Sequence, residues 1–192
     1  MREQVIDWLK ENVSEHRLQH ILGVEKMCEN LAIHHRIDYK KAAQAGLMHD
    51  LAKFFAPPKL LEMAKKEYNE IDPVCLSNPH LLHADVSAIV ARDTFNVTDK
   101  DILDAIRNHT LGNPEMSNLS CIVFIADALE PNRGDTPELE KMRQMSWKNL
   151  HKSVQQTGEY SLQYLIKNNK TIHPRAILTR NWALSEVRNQ KS

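Results

Sequence analysis

The segment AAQAGLMHDLAKF, residues 42–54, places an imidazole and a carboxylate side by side among small and apolar residues. Its composition and spacing predict a helix over about residues 39–54, which Pro57–Pro58 would stop. Burying His49 and Asp50 in such a helix is costly unless hydrogen bonds or a metal ion compensate them. Successive helical side chains point about 100° apart, so both could approach one ion while the carboxylate bridges to a second. The pair therefore indicates either a hydrogen-bonded core pair or part of a metal site.

The rest of the chain repeats this helical pattern. Only five glycines and eight prolines interrupt the 192 residues, and apolar residues recur at three- and four-residue spacing rather than alternating. The pattern predicts an all-α fold in one domain over residues 1–192, with a core over about 17–131 and C-terminal helices over about 137–188 that pack on it. The further predicted helices cover about residues 2–13, 14–35 with Ser14 as N-cap, 58–68, 81–95, 99–109, 118–130, one that begins at Pro137, 148–168 and 174–188, with a loop before residue 81.

Composition narrows the classes of function. Lys plus Arg and Asp plus Glu both number 25, so the net charge is zero and no basic stripe predicts a nucleic-acid partner. No run of about 18 apolar residues occurs, so we expect no membrane span, no signal peptide and a cytoplasmic location. Without a CxxC pair, Cys28, Cys75 and Cys121 predict no disulfide framework, and we expect them to be buried. Ten histidines, by contrast, invite a metal hypothesis.

Four more polar residues stand on apolar stretches of other predicted helices: His20, His83, His109 and Asp127. Each alone could be a hydrogen-bonded core residue or a helix cap. Five helices that each direct a histidine or an aspartate inward favour a shared metal site instead. Imidazole and carboxylate ligands without thiolates suit divalent iron, manganese or zinc, and such ions can activate water as a nucleophile.

The order of these residues, H, HD, H, H and D along the chain, resembles the HD-domain metal-dependent phosphohydrolases. The elements EPNR, HT-x-G and IHP are similar to one bacterial branch of that family, the symmetrical bis(5'-nucleosyl)-tetraphosphatases, which hydrolyse diadenosine tetraphosphate. The resemblance extends from about residue 17 to residue 174. It depends on RLQHILGV (17–24), AGLMHDLAK (45–53), LLHADV (81–86), AIRNHTLG (105–112), IADALEPNR (125–133) and IHP (172–174).

This resemblance implies an HD-domain helical bundle with two divalent metal ions, iron in that family, although manganese or another ion would suit the ligands. It also implies a homodimer that cleaves diadenosine tetraphosphate in the middle to two ADP, with water activated by the two ions. In the implied centre, one metal ion is held by His20, His49, Asp50 and Asp127, and Asp50 bridges to a second ion held by His83 and His109.

Three residues are candidates for contact with the phosphates. Lys53 follows Asp50 by three residues, so on a helix it shares that face and could meet a phosphate oxygen; a solvated lysine is the alternative. Arg133, just after the helix that carries Asp127, could grip two phosphate oxygens or lie in a surface loop. His80 could act as an acid near the leaving group, although its place at the start of a helix favours an outer position. Asp50, Lys53 and His80 form the predicted catalytic set.

Further positions concern the substrate pocket. Thr110 and Gly112 could let the chain approach the substrate closely, or could simply end a helix. His173 could reach the pocket or form a structural hydrogen bond. Asn132 stands where the family often has glycine, so the loop there could sit differently. Aromatic residues that could line an adenine slot, or could equally be core, are Tyr160, Tyr164 and Trp182.

Two alternatives to symmetrical cleavage stay open. The same metal site could act on a nucleoside triphosphate, a deoxynucleoside monophosphate or a cyclic nucleotide. The chain could also be a non-catalytic HD module that binds a nucleotide or another protein. Degenerate modules usually lose a ligand, whereas all six ligand positions are filled here, which favours an enzyme.

Overall fold

The computed structural model describes residues 1–190, which form eleven α-helices and two 3₁₀ turns and contain no β-strand. The predicted all-α class is confirmed. The helices are α1 (Arg2–Asn12), α2 (Glu15–His34), α3 (Tyr39–Met48), α4 (Pro57–Glu67), α5 (Pro73–Ser77), α6 (His83–Phe95), α7 (Lys100–Asn108), α8 (Asn118–Leu129), α9 (Pro137–Lys148), α10 (Leu150–Lys167) and α11 (Pro174–Asn189), and the 3₁₀ turns are Pro79–Leu82 and Pro131–Arg133.

Side-chain caps determine where many of these helices begin. The hydroxyl of Ser14 accepts a hydrogen bond from the backbone N–H of Arg17 at 3.3 Å, which confirms its predicted role as N-cap of α2. Proline occupies the first turn of α4, α5, α9 and α11, where its missing N–H leaves no helical bond unmade. The same capping role belongs to Asp38, Asp72, Asp99, Ser117, Thr136 and Asn149.

The helix predicted over residues 39–54 is shorter than expected, because α3 ends at Met48 and residues 49–54 form consecutive turns. In a continuing helix, the carbonyl of Gly46 would accept from the N–H of Asp50. Here it bonds Nδ1 of His49 at 2.7 Å instead, and the N–H of Lys53 bonds the carbonyl of Asp50 at 3.0 Å. The prediction that Lys53 shares a helical face with Asp50 was therefore wrong in its geometry.

The segment before residue 81, predicted as a loop, contains α5 and the first 3₁₀ turn. The carboxylate of Asp72 accepts from the N–H of Val74 at 2.8 Å and of Cys75 at 3.4 Å, and Pro73 occupies the first helical position. Asp-Pro thus acts here as a helix start rather than a turn, since a capping carboxylate and a proline at the first position both favour helix.

The core forms around α8, which packs against α2, α3, α7, α9 and α10. Ile122 and Ile125 of α8 are fully buried. Around it, α2 packs on α3, α7 packs on α6, and α10 packs on α11. The three cysteines are buried and unpaired, as predicted. Within residues 1–190, no helix combines the length and the apolarity that crossing a membrane requires.

Candidate metal centre

All six predicted ligands converge on one region, where the end of α3, the start of α6, the end of α7 and the end of α8 meet the first half of α2. Asp127 is the most accessible, with 23% of its side chain exposed. The five buried members are His20, His49, Asp50, His83 and His109. The folded chain thus places six polar side chains, separated by up to 107 positions, in one small volume.

The first group of ligand atoms surrounds His49. Its Nε2 lies 3.5 Å from Oδ2 of Asp50 and 3.6 Å from Oδ1 of Asp127. The same Asp127 oxygen lies 3.1 Å from Nε2 of His20. Ligands bonded at about 2.1 Å to one ion are separated by about 3.0–3.5 Å in octahedral or tetrahedral arrangements. These distances therefore suit a single divalent cation.

The second group shares Asp50 with the first. Its other oxygen, Oδ1, lies 3.4 Å from Nε2 of His83 and 3.7 Å from Nε2 of His109. The two imidazole nitrogens are 3.1 Å apart. One carboxylate therefore directs Oδ2 at His49 and Oδ1 at His83 and His109, as a ligand that bridges two cations would.

The same type of local hydrogen bond orients three of the histidines. His49 ends α3, His83 ends the first 3₁₀ turn and His109 ends α7. In each, Nδ1 bonds the backbone carbonyl three residues earlier, at 2.7, 2.6 and 2.8 Å. A carbonyl oxygen has two lone pairs, so at the end of a helical turn it can accept from the ring N–H in addition to any backbone N–H. This fixes the tautomer and leaves the Nε2 lone pair directed at the centre.

His20 lies inside α2 and is oriented by Glu130, which the sequence analysis did not single out. The Nδ1 of His20 is 2.9 Å from Oε1 of Glu130, a fully buried carboxylate at the end of α8. Oε2 of the same group accepts from the backbone N–H of Asn132 at 2.8 Å. A Cβ on Gly23 would collide with Oε2, so glycine leaves the space that Glu130 fills. Gly23 lies in the motif RLQHILGV and Glu130 lies in EPNR, so these two motifs were the signal from which their roles could have been predicted.

Asn132 itself adopts no left-handed backbone conformation. Its side chain donates to Oε2 of Glu130 at 3.0 Å and to the carbonyl of Gln19 at 3.3 Å. Asparagine in place of the family's glycine therefore adds hydrogen bonds to the carboxylate that orients His20, and requires no strain.

The donor set fits a divalent cation. Nε2 of His49 and Oδ1 of Asp50 are buried, and neither has a hydrogen-bond partner anywhere in residues 1–190. The facing Nε2 atoms of His83 and His109 both carry lone pairs, because their Nδ1 atoms hold the protons. The donors nearest to these two nitrogens are the ammonium of Lys53, 3.1 Å from Nε2 of His83, and the hydroxyl of Thr110, 2.9 Å from Nε2 of His109. Nε2 of His49 belongs to the first group of ligand atoms and the other three atoms belong to the second, so one cation in each group would satisfy them.

The charges of the protein's own groups also favour a positive charge at this position. Burial alone would raise the pKa of Asp50, but the charges and hydrogen bonds of His49 and its neighbours hold it well below its usual range. Burial would lower the pKa of His49, yet the charges of Asp50 and Asp127 outweigh it and raise the value to about 10. Burial lowers the pKa of His83 to about 4, with help from Lys53. The ionised carboxylates and the neutral imidazole of His83 are in the states that bind metals, whereas His49 would release a proton when it binds one.

Three cationic side chains point at ligand atoms. Nζ of Lys53 lies 3.1 Å from Nε2 of His83, so this predicted residue reaches the centre, though from a turn. Arg133 donates to the carbonyl of Asp127 at 2.7 Å and to its Oδ1 at 2.6 Å. Arg17, which had no predicted role, donates to Oδ2 of Asp50 at 3.0 Å. Lys53 is exposed and Arg133 is partly exposed, so both can meet an anion from solvent.

Of the remaining residues predicted to contact substrate, Thr110 and His80 lie near the centre and Gly112 does not. The hydroxyl of Thr110 lies 2.9 Å from Nε2 of His109, at the edge of the centre. His80 is exposed nearby, and burial together with the charges of Lys53 and Lys170 lowers its pKa. Gly112 instead packs against α11: its φ is +65°, and a Cβ there would collide with the side chain of Thr179. The contact of Gly112 is therefore with another helix rather than with the centre.

His173 makes structural hydrogen bonds, the alternative named above. Its Nδ1 accepts from the N–H of Arg175 at the start of α11, and its Nε2 lies 3.2 Å from Oδ1 of Asp72. The three aromatic residues considered for an adenine slot do not share one. Tyr160 borders a cleft on one side of α10, Tyr164 is exposed beside Lys170, and Trp182 packs edge-on against His151.

Comparisons with known proteins agree with this geometry. The HD domain family matches residues 17–132, a segment that contains all six candidate ligands and Glu130. The symmetrical bis(5'-nucleosyl)-tetraphosphatase of Bacillus subtilis (strain 168) is 35% identical over 186 residues, which cover 96% of this chain and 98% of that protein. The protein of the same name from Halalkalibacterium halodurans is 34% identical, with 96% and 98% covered.

A solved structure agrees as well. It is the crystal structure of a predicted HD superfamily hydrolase involved in NAD metabolism from Clostridium acetobutylicum, with 31% sequence identity. It superposes with a TM-score of 0.92 and covers 97% of this chain and 98% of its own. The resemblance noted in the sequence motifs is thus confirmed over nearly the whole length. With the ordered H, HD, H, H and D residues gathered at one centre and relatives matched from end to end, this chain belongs to the HD domain family.

Proposed function

We propose that this protein is an enzyme that hydrolyses diadenosine tetraphosphate symmetrically to two ADP. Relatives with that name match it over 96% of its length. The observation that carries the proposal is that the two carboxylate oxygens of Asp50 face different histidines, Oδ2 facing His49 and Oδ1 facing His83 and His109. That arrangement supports a two-cation centre, and such centres are used for phosphoryl displacement by water.

The chain's own residues would hold the cations and position the phosphates. When bound, two divalent ions lower the pKa of a water molecule and stabilise negative charge on phosphoryl oxygens. The proposed ligands are His20, His49, Asp50 and Asp127 for one ion, and Asp50, His83 and His109 for the other. Glu130 holds the His20 ring in place, and Arg17 holds one oxygen of Asp50.

Two exposed cations flank the centre on different sides. Arg133 stands over Asp127, and Lys53 stands over His83. A polyphosphate that crosses the centre would meet a guanidinium on one side and an ammonium on the other. These two contacts favour an anionic substrate long enough to reach both side chains. His80, beside Lys53, is the proposed catalytic group near the leaving phosphate; burial and the charge of Lys53 lower its pKa, so its neutral ring would donate a hydrogen bond there and would act as an acid only at lower pH.

The products of hydrolysis test the proposal. The protein, loaded with Mn²⁺ or Fe²⁺, is incubated with diadenosine tetraphosphate, and the nucleotides are separated by anion-exchange chromatography. ADP as the sole product is expected. ATP with AMP would contradict symmetrical cleavage, and no turnover would favour a non-catalytic module or another substrate. Hydrolysis of nucleoside triphosphates, deoxynucleoside monophosphates or cyclic nucleotides in the same assay would identify the alternative enzymes. Asp50→Ala is the inactive control.

Iron as the metal, a homodimer and a cytoplasmic location complete the proposal. They are supported by the resemblance to the family branch and by imidazole and carboxylate ligands, which iron accepts. Metal analysis after anaerobic purification tests the first, and sedimentation equilibrium tests the second. Zinc or magnesium in the purified protein would contradict iron as the metal, and a monomer in solution would contradict the homodimer.

A further inference from the structure

A cleft of about 450 Å³ lies between α10, the start of α11 and the first 3₁₀ turn. Clefts that bind small molecules measure about 300–1,000 Å³, so this one has the capacity for a nucleoside. On α10, the residues that line it are Gly158, Ser161, Leu162 and Leu165, which stand at three- and four-residue spacing and so form one face of the helix.

The cleft opens directly beside the metal centre. Thr110 lines it, and the hydroxyl of the same residue lies 2.9 Å from Nε2 of His109 and 3.1 Å from Nε2 of His83. His80 also lines it, and the carbonyl of His80 orients His83. A nucleotide bound in the cleft could therefore extend its phosphates to His83 and His109, the histidines of the second group of ligand atoms.

The lining combines apolar walls with a few polar groups, as nucleotide sites do. Leu81, Leu111 and Phe124 supply flat apolar surface for a base. Asn78 and Thr171 offer amide and hydroxyl groups that can bond a base edge or a ribose.

A cation stands at the edge of this cleft. Lys170 lines it, and Lys53 stands at the adjoining metal centre. Ammonium groups at the cleft and at the adjoining metal centre complement a nucleoside that carries a chain of phosphates. An uncharged metabolite would gain nothing from them.

The wall of the cleft is held in place by the backbone at the end of α10. Asn169 adopts a left-handed conformation with φ of 50°, and the N–H of Lys170 bonds the carbonyl of Leu165 at 2.9 Å. Together with the bond from the N–H of Asn169 to the carbonyl of Ile166, this forms the Schellman motif, which turns a chain sharply back from a helix. His173, fixed by Asp72, completes the wall. These contacts give this wall of the cleft a defined position in the folded chain.

We propose that this cleft binds the nucleoside part, base and ribose, of one half of the substrate. The inference rests on the proposed function, because it takes its occupant from the dinucleotide that the centre would cleave. It assigns a role to the C-terminal helices, which lie outside the segment that matches the HD domain. The phosphates of that nucleotide would run from Lys170 past Thr110 to the metal centre.

The test compares two tryptophan variants on α10. Ser161 is exposed and lines the cleft, so Ser161→Trp should fill it without disturbing the core. Ile166 is 65% exposed and does not line the cleft, so Ile166→Trp is the matched control. Isothermal titration with Mn²⁺-loaded protein measures the binding of ADP and of inorganic pyrophosphate. Neither measurement requires turnover.

Ser161→Trp should weaken ADP binding at least about tenfold, or about 1.4 kcal/mol, because the nucleoside loses its cleft. Pyrophosphate, which lacks a nucleoside, should bind as to the parent, and Ile166→Trp should bind both ligands as the parent does. Unchanged ADP binding by Ser161→Trp would overturn the assignment. An equal loss for both ligands would overturn it too, since the effect would then come through the phosphate site.

A crystal structure of the parent with Mn²⁺ and ADP tests the same inference without a variant. The adenine should lie between Phe124 and Leu162, and an adenine elsewhere would refute the proposal. Failure of the two proposals can be told apart. ADP held in the cleft by a protein that does not cleave diadenosine tetraphosphate would remove the enzymatic function only. Symmetrical cleavage with ADP bound elsewhere would remove the cleft only.

Discussion

Replacing Gly23 with alanine tests how tightly Glu130 is held against α2. A Cβ at this position would collide with Oε2 of Glu130 and lie 3.0 Å from its Cδ. The carboxylate cannot swing aside at no cost, because it is fully buried and bonded to His20 and Asn132. The substitution should therefore disturb both the packing of α2 on the end of α8 and the orientation of the His20 ring.

The expected magnitude is the balance of two effects. Alanine is favoured over glycine inside a helix by about 0.8–1.0 kcal/mol. Overpacking a filled space costs about 1–3 kcal/mol. Gly158 in α10 gives a matched control, since a Cβ there would lie no closer than 3.3 Å to its nearest neighbour, Cβ of Arg180. The helical gain is common to both variants, so Gly23→Ala should be less stable than Gly158→Ala by about 1–3 kcal/mol.

Thermal unfolding of the metal-free proteins, followed by circular dichroism, measures this difference. In a chain of about 150–250 residues, 1 kcal/mol shifts Tm by about 2–4 °C, so Gly23→Ala should unfold about 2–12 °C below Gly158→Ala. Equilibrium dialysis should also show Mn²⁺ binding to Gly23→Ala weakened by about 10–100-fold, the usual effect of losing a group that orients a ligating histidine. Equal Tm values and equal Mn²⁺ affinities in the two variants would refute the reasoning.

Three further predictions concern the metal centre and its rim. Asp50→Ala should abolish turnover and most metal binding while the far-ultraviolet circular dichroism keeps its helical form; full activity would contradict the bridging role. Arg133→Ala should lower kcat/KM by about tenfold. This is the lower end of the loss expected for a charge-assisted hydrogen bond, because the side chain is 38% exposed. Arg188→Ala is the exposed control, and if Arg133→Ala had the same kinetics as this control and the parent, Arg133 would be a surface residue. When the free metal ion is at about 1,000 times its Kd, binding stabilises the folded protein by about 4 kcal/mol. Removing the metal with a chelator should therefore lower Tm by about 8–16 °C. An unchanged Tm would contradict a cation among these ligands.

Local signals in the sequence predicted the helical class and the members of the centre. Helical periodicity and capping residues act within a few positions, so Ser14 and Pro137 could be assigned their places. His20, His49, His83 and His109 were found because a polar residue on an apolar face needs a partner. The same local reasoning misjudged the end of α3, where a histidine side chain takes the carbonyl that would have continued the helix.

Packing between distant segments decided the rest. Glu130 meets His20 across 110 positions, and Gly23 is required only because that carboxylate fills the adjacent space. No periodicity or spacing encodes such a contact, since it depends on how α2 and the end of α8 approach each other. The division of the Asp50 oxygens and the cleft beneath Lys170 arise in the same way. The sequence therefore determined which atoms were available for the chemistry, and tertiary packing decided where their lone pairs point.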